Sequence, residues 1–134
     1  MANLNKIALT LLCILLAPLA QALSLGELSV YSLLNQPLDA AIALGNVGQL
    51  APAEISVKLA DAAEFERAGI DREAVLSELQ FEVLMPKAGT SMIKISSHQP
   101  VTSPYLNFLI EIQWPNGLII RECTVLLNPP AAEQ

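Results

Sequence analysis

An all-β fold, an antiparallel immunoglobulin-like sandwich of about seven strands, is predicted by three features of this chain. Leu106, Phe108, Ile110, Ile112 and Trp114 recur with a period of two, while Asn107, Glu111 and Gln113 hold the opposite phase and only Leu109 breaks the alternation. A strand gathers such apolar groups on one face, whereas a helix scatters them around its circumference. Asn116-Gly117 follows at once, and this pair is the strongest short hairpin signal, because a type I′ turn needs positive φ at both central residues. Further alternating runs precede this hairpin, divided by proline, glycine and asparagine.

Taken in order, Leu28, Val30 and Leu34 alternate with Glu27, Ser29 and Tyr31 and give a first strand over 27–34. Asn35-Gln36-Pro37 breaks it, since proline lacks an N–H and pushes Gln36 to extended geometry. Leu38, Ala40, Ile42 and Leu44 form a second strand, stopped by Gly45-Asn46-Val47-Gly48. Pro52 opens a single helical turn, and Ile55, Val57 and Leu59 form a third strand. Asp61, with Glu64 three residues on, reads as a capping box for a short helix that ends at Gly69. Asp71 caps a second turn over 72–76, with Phe65, Val75 and Leu76 as the inward contacts of this helical insertion. Leu79 to Met85 and Ser91 to Ser97 supply strands four and five; 106–114 and 118–127 supply six and seven. In the seventh both phases are apolar, Ile119, Val125 and Leu127 on one and Leu118, Ile120 and Leu126 on the other. Such a strand sits centrally or presents surface to a neighbour; burial of both faces within the domain is the simpler reading. Trp114, Asn116, Gly117 and Pro37 stand as the structural anchors of this scheme.

The first residues read differently. Lys6, an apolar run from Ile7 to Leu16, then Pro18 and Ala20-Gln21-Ala22 have the layout of a secretory signal peptide. A membrane span needs about 20 apolar residues, more than this run holds. Cleavage is placed between Ala22 and Leu23, which divides the chain into a signal peptide over 1–22, a domain over 23–128 and a Pro/Ala-rich tail or linker over 129–134. The net charge of −6 becomes −7 once Lys6 is removed, a balance that repels nucleic acid and anionic lipid. Only Cys123 remains after processing, so no internal disulfide forms, and its mid-strand position reads as a small buried apolar residue rather than a reactive thiol.

Catalytic chemistry finds little to use. His98 is the only histidine, and it has no nucleophile-elbow glycines or cysteine cluster beside it. The carboxylates are scattered singly, and the aromatic residues that would rim a glycosidase cleft are few. The composition predicts neither catalytic, cofactor-binding nor metal-binding residues. A binding module fits better, because open sandwiches expose edge strands that accept a partner strand. A chaperone-like domain that takes extended peptides on an edge is the alternative within that class. A hydrolase dependent on His98 or a carboxylate pair is the alternative outside it.

Three segments carry a family resemblance. Leu25-Gly26-Glu27-Leu28 through Ser32-Leu33-Leu34-Asn35-Gln36-Pro37-Leu38-Asp39-Ala40 resembles the opening of the FimV-type family of pilus-assembly and polar-landmark proteins. Glu54-Ile55-Ser56-Val57-Lys58-Leu59-Ala60 with Phe65-Glu66-Arg67-Ala68-Gly69-Ile70, and Phe108 to Gly117 with Arg121 to Pro130, are similar to later parts of that family's N-terminal domain. Cys123 departs from the tyrosine common there. The resemblance implies a Gram-negative periplasmic domain serving type IV pilus assembly, twitching motility or polar organisation. Its partner would be a secretin-complex or inner-membrane pilus component, and it would use no cofactor. Full-length relatives continue into a peptidoglycan-binding LysM module, a membrane span and a cytoplasmic repeat region. Those functions do not transfer to this chain, which is either a short stand-alone relative or the N-terminal piece of a longer protein.

Overall fold

The computed structural model describes residues 22–130; residues 1–21 and 131–134, on which the signal-peptide reading and most of the expected tail fall, lie outside it. Seven antiparallel strands form two sheets. They are β1 (Ser24–Val30), β2 (Pro37–Gly45), β3 (Ser56–Leu59), β4 (Gln80–Leu84), β5 (Ser91–Pro100), β6 (Tyr105–Trp114) and β7 (Gly117–Leu126). One sheet has the order β1-β2-β5-β4 and the other β3-β6-β7. A short helix, α1 (Ala62–Ala68), and a 3-10 turn (Ala74–Glu78) fill the connection between β3 and β4. Another 3-10 turn, Pro52–Glu54, precedes β3.

The core lies between the sheets. Leu106, Phe108, Ile110 and Ile112 of β6 are buried against Leu38, Ala40 and Ile42 of β2 and Ile93 and Ile95 of β5 in one continuous cluster. Each fully buried aliphatic or phenyl group contributes on the order of 1.5–3 kcal/mol. Leu109 stands on the other phase and is buried all the same; helix α1 contacts β6, and the Ala60 N–H donates to the Leu109 carbonyl. In β1 the pairing passes from Leu25↔Leu44 to Leu28↔Ile42, so a bulge at Gly26-Glu27 keeps Leu25 and Leu28 packed against the core despite their odd spacing.

Several local expectations are corrected. The first strand begins at Ser24 and ends at Val30 rather than running to Leu34. Beyond Val30 the regular ladder gives way to mixed bonds: the Tyr31 N–H donates to the Asp39 carbonyl, Ser32 Oγ accepts from the Asp39 N–H, Gln36 Oε1 accepts from the Leu33 N–H, and Asn35 turns the chain at a φ of 69°. Asp61 is the N-cap residue of α1 but makes no side-chain cap hydrogen bond, and Glu64 bonds Arg67 at 3.0 Å instead. Glu73, not Asp71, stands at the N-cap position of the 3-10 turn, and it makes no side-chain cap hydrogen bond there. Gly69 does close α1 in the left-handed region, φ 72°.

The hairpin turn is also shifted by one residue. Trp114 pairs with Gly117, so Pro115 and Asn116 are its central residues. Neither Asn116 nor Gly117 has positive φ, and the turn is not type I′. Proline fixes φ near −65°, which suits the first central position of a type I or II turn and excludes the primed types there. Glycine is required at 117 for a different reason: a Cβ there would lie 2.8 Å from Cζ2 of the Trp114 indole. The strand β7 lies at the edge of its sheet rather than centrally, and its two faces are not both buried. Cys123, Val125 and Leu127 face the core, whereas Leu118 and Leu126 are 51% and 65% exposed. Arg121 occupies an inward-phase position at this open side and donates from Nη2 to the Gly26 carbonyl, 3.0 Å away, tying β7 to β1.

Trp114 is 7% exposed, and truncating it to alanine is predicted to cost about 3–5 kcal/mol in denaturant unfolding, with a loss under about 1 kcal/mol contradicting its burial. Gly117→Ala should cost about 1–3 kcal/mol alone but little in a Trp114→Ala background, because the clash is with the indole. An equal cost in both backgrounds would show that glycine is needed for backbone conformation instead.

Candidate interaction surface

The residues singled out for chemistry lie apart. His98 is exposed on β5. Its neighbour Ser97 is committed to the backbone: Oγ accepts from the Leu38 N–H and donates to the Gln99 carbonyl, both at 2.8 Å. Lys58 reaches Glu111, its cross-strand partner, at 3.4 Å and Asp61 at 3.9 Å, surface pairs of small energetic weight. Among the described residues no group of three or more His, Cys, Asp or Glu side chains could hold a metal ion.

Cys123 pairs with Phe108 across the hairpin and is buried. Burial pushes its thiol up from 9.0 to about 11, Arg121 opposes that rise, and Glu122 adds to it.

The surface has more to offer at the Tyr105 end of β6. One hollow of about 310 Å³ has Val75, Leu79, Pro100, Val101 and Leu106 among its lining residues, with Glu78 beside them. A second, of about 210 Å³, is lined by Gly69, Ile70, Asp71, Glu73, Tyr105 and Asn107. The two adjoin through the consecutive pairs Glu73–Ala74 and Tyr105–Leu106. Val75 was expected to point inward; it is instead 40% exposed, because Leu76, the next residue of the 3-10 turn, takes the buried position. Tyr105, 51% exposed, pairs with exposed Leu126 on β7, which extends the apolar surface onto the sheet.

The anchors lie elsewhere. Trp114 and Asn116 border a third hollow, of about 310 Å³, together with Leu23, Val47, Leu50 and Glu54. Leu23 is buried there and Ala22 is exposed. Pro37 opens β2 opposite Pro100. Val101 falls outside every alternating run of the sequence, yet it is buried and its N–H donates to the Gln36 carbonyl. Its place between two prolines and away from any alternating run left no periodic signal to mark it.

A thiol at about 11 predicts negligible alkylation of native Cys123 by iodoacetamide at pH 7.5 and full reaction in denaturant, followed by mass spectrometry; fast native labelling would contradict its burial. The folded state holds this proton more tightly than the unfolded chain, so the contribution is fully present below pH 9 and stability falls as pH rises from 9.0 toward about 11. Cys123→Ala should remove that slope.

Comparison with known proteins places this geometry in a family. Residues 23–130 match the family described as FimV N-terminal domain Ig-like domain. Over 117 residues the chain is 46% identical to the motility hub protein FimV of two Pseudomonas aeruginosa strains, an alignment covering 87% of this chain and 13% of each relative. The chain thus corresponds to a small part of those proteins. No solved structure matches it. With two antiparallel sheets, seven strands and one short helix across the matched span, the chain belongs to the FimV N-terminal domain family of Ig-like domains.

Proposed function

We propose that this chain is a non-catalytic periplasmic domain that works through protein contacts in type IV pilus assembly, twitching motility or polar organisation. The observation that carries the reading is the 46% identity to the motility hub protein FimV over nearly the whole domain. That relative is a motility hub protein, and a hub acts by holding partners together. The surface supports it: the hollows at the Tyr105 end of β6, with exposed Val75, Tyr105 and Leu126, offer apolar area to a partner. No helix among the described residues is long and apolar enough to cross a membrane.

Export follows from the amino-terminal sequence, with cleavage after Ala22 leaving Leu23 as the first residue. Leu23 is buried beside Trp114 in the third hollow, so the processed terminus would sit against the fold. The intact mass of protein recovered from the periplasm should correspond to a chain starting at Leu23; a mature form starting several residues later would contradict the assignment.

Removing the coding sequence for residues 23–128 from the native gene should reduce twitching-zone diameter and surface piliation severalfold. His98→Ala should leave both unchanged. Normal piliation in the deletion strain would refute the motility role, and loss of function in His98→Ala would return the catalytic alternative.

A further inference from the structure

We propose that the two adjoining hollows at the Tyr105 end of β6 form a groove for an extended, cationic segment of a partner protein, one that alternates Lys or Arg with apolar residues. The proposal deepens the interaction reading by giving it a place and a partner chemistry. Three independent features of the molecule converge there.

The first is a free strand edge. The strand β3 is only four residues long, and its pairing with β6 runs from Ser56↔Gln113 to Leu59↔Ile110. The last backbone bond from that segment is from the Ala60 N–H to the Leu109 carbonyl; further along the same side the Tyr105 carbonyl accepts from Ser103 Oγ. Backbone groups of alternate residues in an antiparallel ladder point to the same side. The Asn107 N–H and C=O therefore point to the β3 side as Leu109 does, at a level where β3 has ended and the second hollow begins. A strand laid into this gap would continue β3 and take up those groups.

The second feature is the apolar hollow beside it, where Val75, Leu79, Val101 and Leu106 can receive alternate side chains of such a strand. The third is charge. The insertion carries Asp61, Glu64, Glu66, Asp71, Glu73 and Glu78 against Arg67 and Arg72 alone. Both cations are engaged within it: Arg67 pairs with Glu64 at 3.0 Å, while Arg72 donates to the Ala60 carbonyl and lies 5.7 Å from the Phe65 ring centre. Among the described residues Asp71, Glu73 and Glu78, which line the two hollows, form no ion pair. A rim of uncompensated carboxylates favours a cationic occupant and disfavours an acidic one. It also disfavours a second copy of this chain, whose own net charge is −6.

The test uses the mature protein, isotopically labelled, titrated with a short peptide alternating Lys and Val and with its Glu/Val analogue. The Lys/Val peptide should move the amide resonances of Val75, Leu79, Tyr105 and Asn107, and its affinity should fall at least tenfold in Glu73→Lys/Glu78→Lys. N-methylation of alternate peptide amides should abolish binding if the contact is a strand pairing. Equal binding of the two peptides, shifts spread over other faces, or wild-type affinity in the double variant would each overturn the groove. In cells, normal twitching by Glu73→Lys/Glu78→Lys alongside loss of twitching in the domain deletion would remove the groove while leaving the interaction role intact. Val75→Ser, a neutral change at an exposed position, should lower affinity by removing the apolar contact without altering the fold, read from the dispersion of the same spectra.

Discussion

In the three-stranded sheet only β6 has a strand on each side, and its inward row spans the whole core. Leu106, Phe108, Ile110, Ile112 and Trp114 meet the inner face of the four-stranded sheet along the full length of the domain. The other elements can be understood as ways of covering that row. The hairpin to β7 fixes its far end through the Trp114 indole over Gly117. The bulge in β1 retains two leucines for the core, and α1 with its 3-10 turn brings Phe65 and Leu76 into it. A small domain has few alternatives, because its stability is a modest difference between large burial and entropy terms.

The same strand explains where a partner can bind. Every covering element of β6 is shorter than β6 itself on the β3 side, so one end of its edge meets the helical insertion instead of a strand. That insertion is acidic and supplies apolar side chains at the hollow. Core and candidate surface are thus two consequences of one length mismatch, ten residues in β6 against four in β3. Elsewhere the open side is managed differently: Arg121 bridges β7 to β1 and limits access to that edge.

Much of the fold was legible in the chain because period-two alternation reports directly on which face of a strand is buried. The two sheets' inner residues in β2, β5 and β6 were all read this way. What alternation does not carry is the neighbour relation. Two apolar phases in β7 did not tell an edge strand from a central one, since Leu118 and Leu126 are exposed while Ile119 and Ile120 are half-buried. The hairpin turn was misplaced because Asn-Gly is a strong local signal, yet Pro115 and the Trp114 ring jointly place the bend one residue earlier. The hollow was not legible at all: Val75 of the 3-10 turn with Leu79 at its C-cap, Val101 after β5 and Leu106 of β6 come from three separate segments, and only the tertiary fold brings them together.

The dependence of the domain on β6 can be read residue by residue from native-state amide hydrogen exchange. The amides of Leu106 to Gln113 that bond within the sheet should exchange only through global unfolding, with protection equal to the full unfolding free energy, while those of β3 and the 3-10 turn exchange by local opening. Protection along β6 falling well below that of β2 and β5 would show that the four-stranded sheet, not β6, holds the domain together.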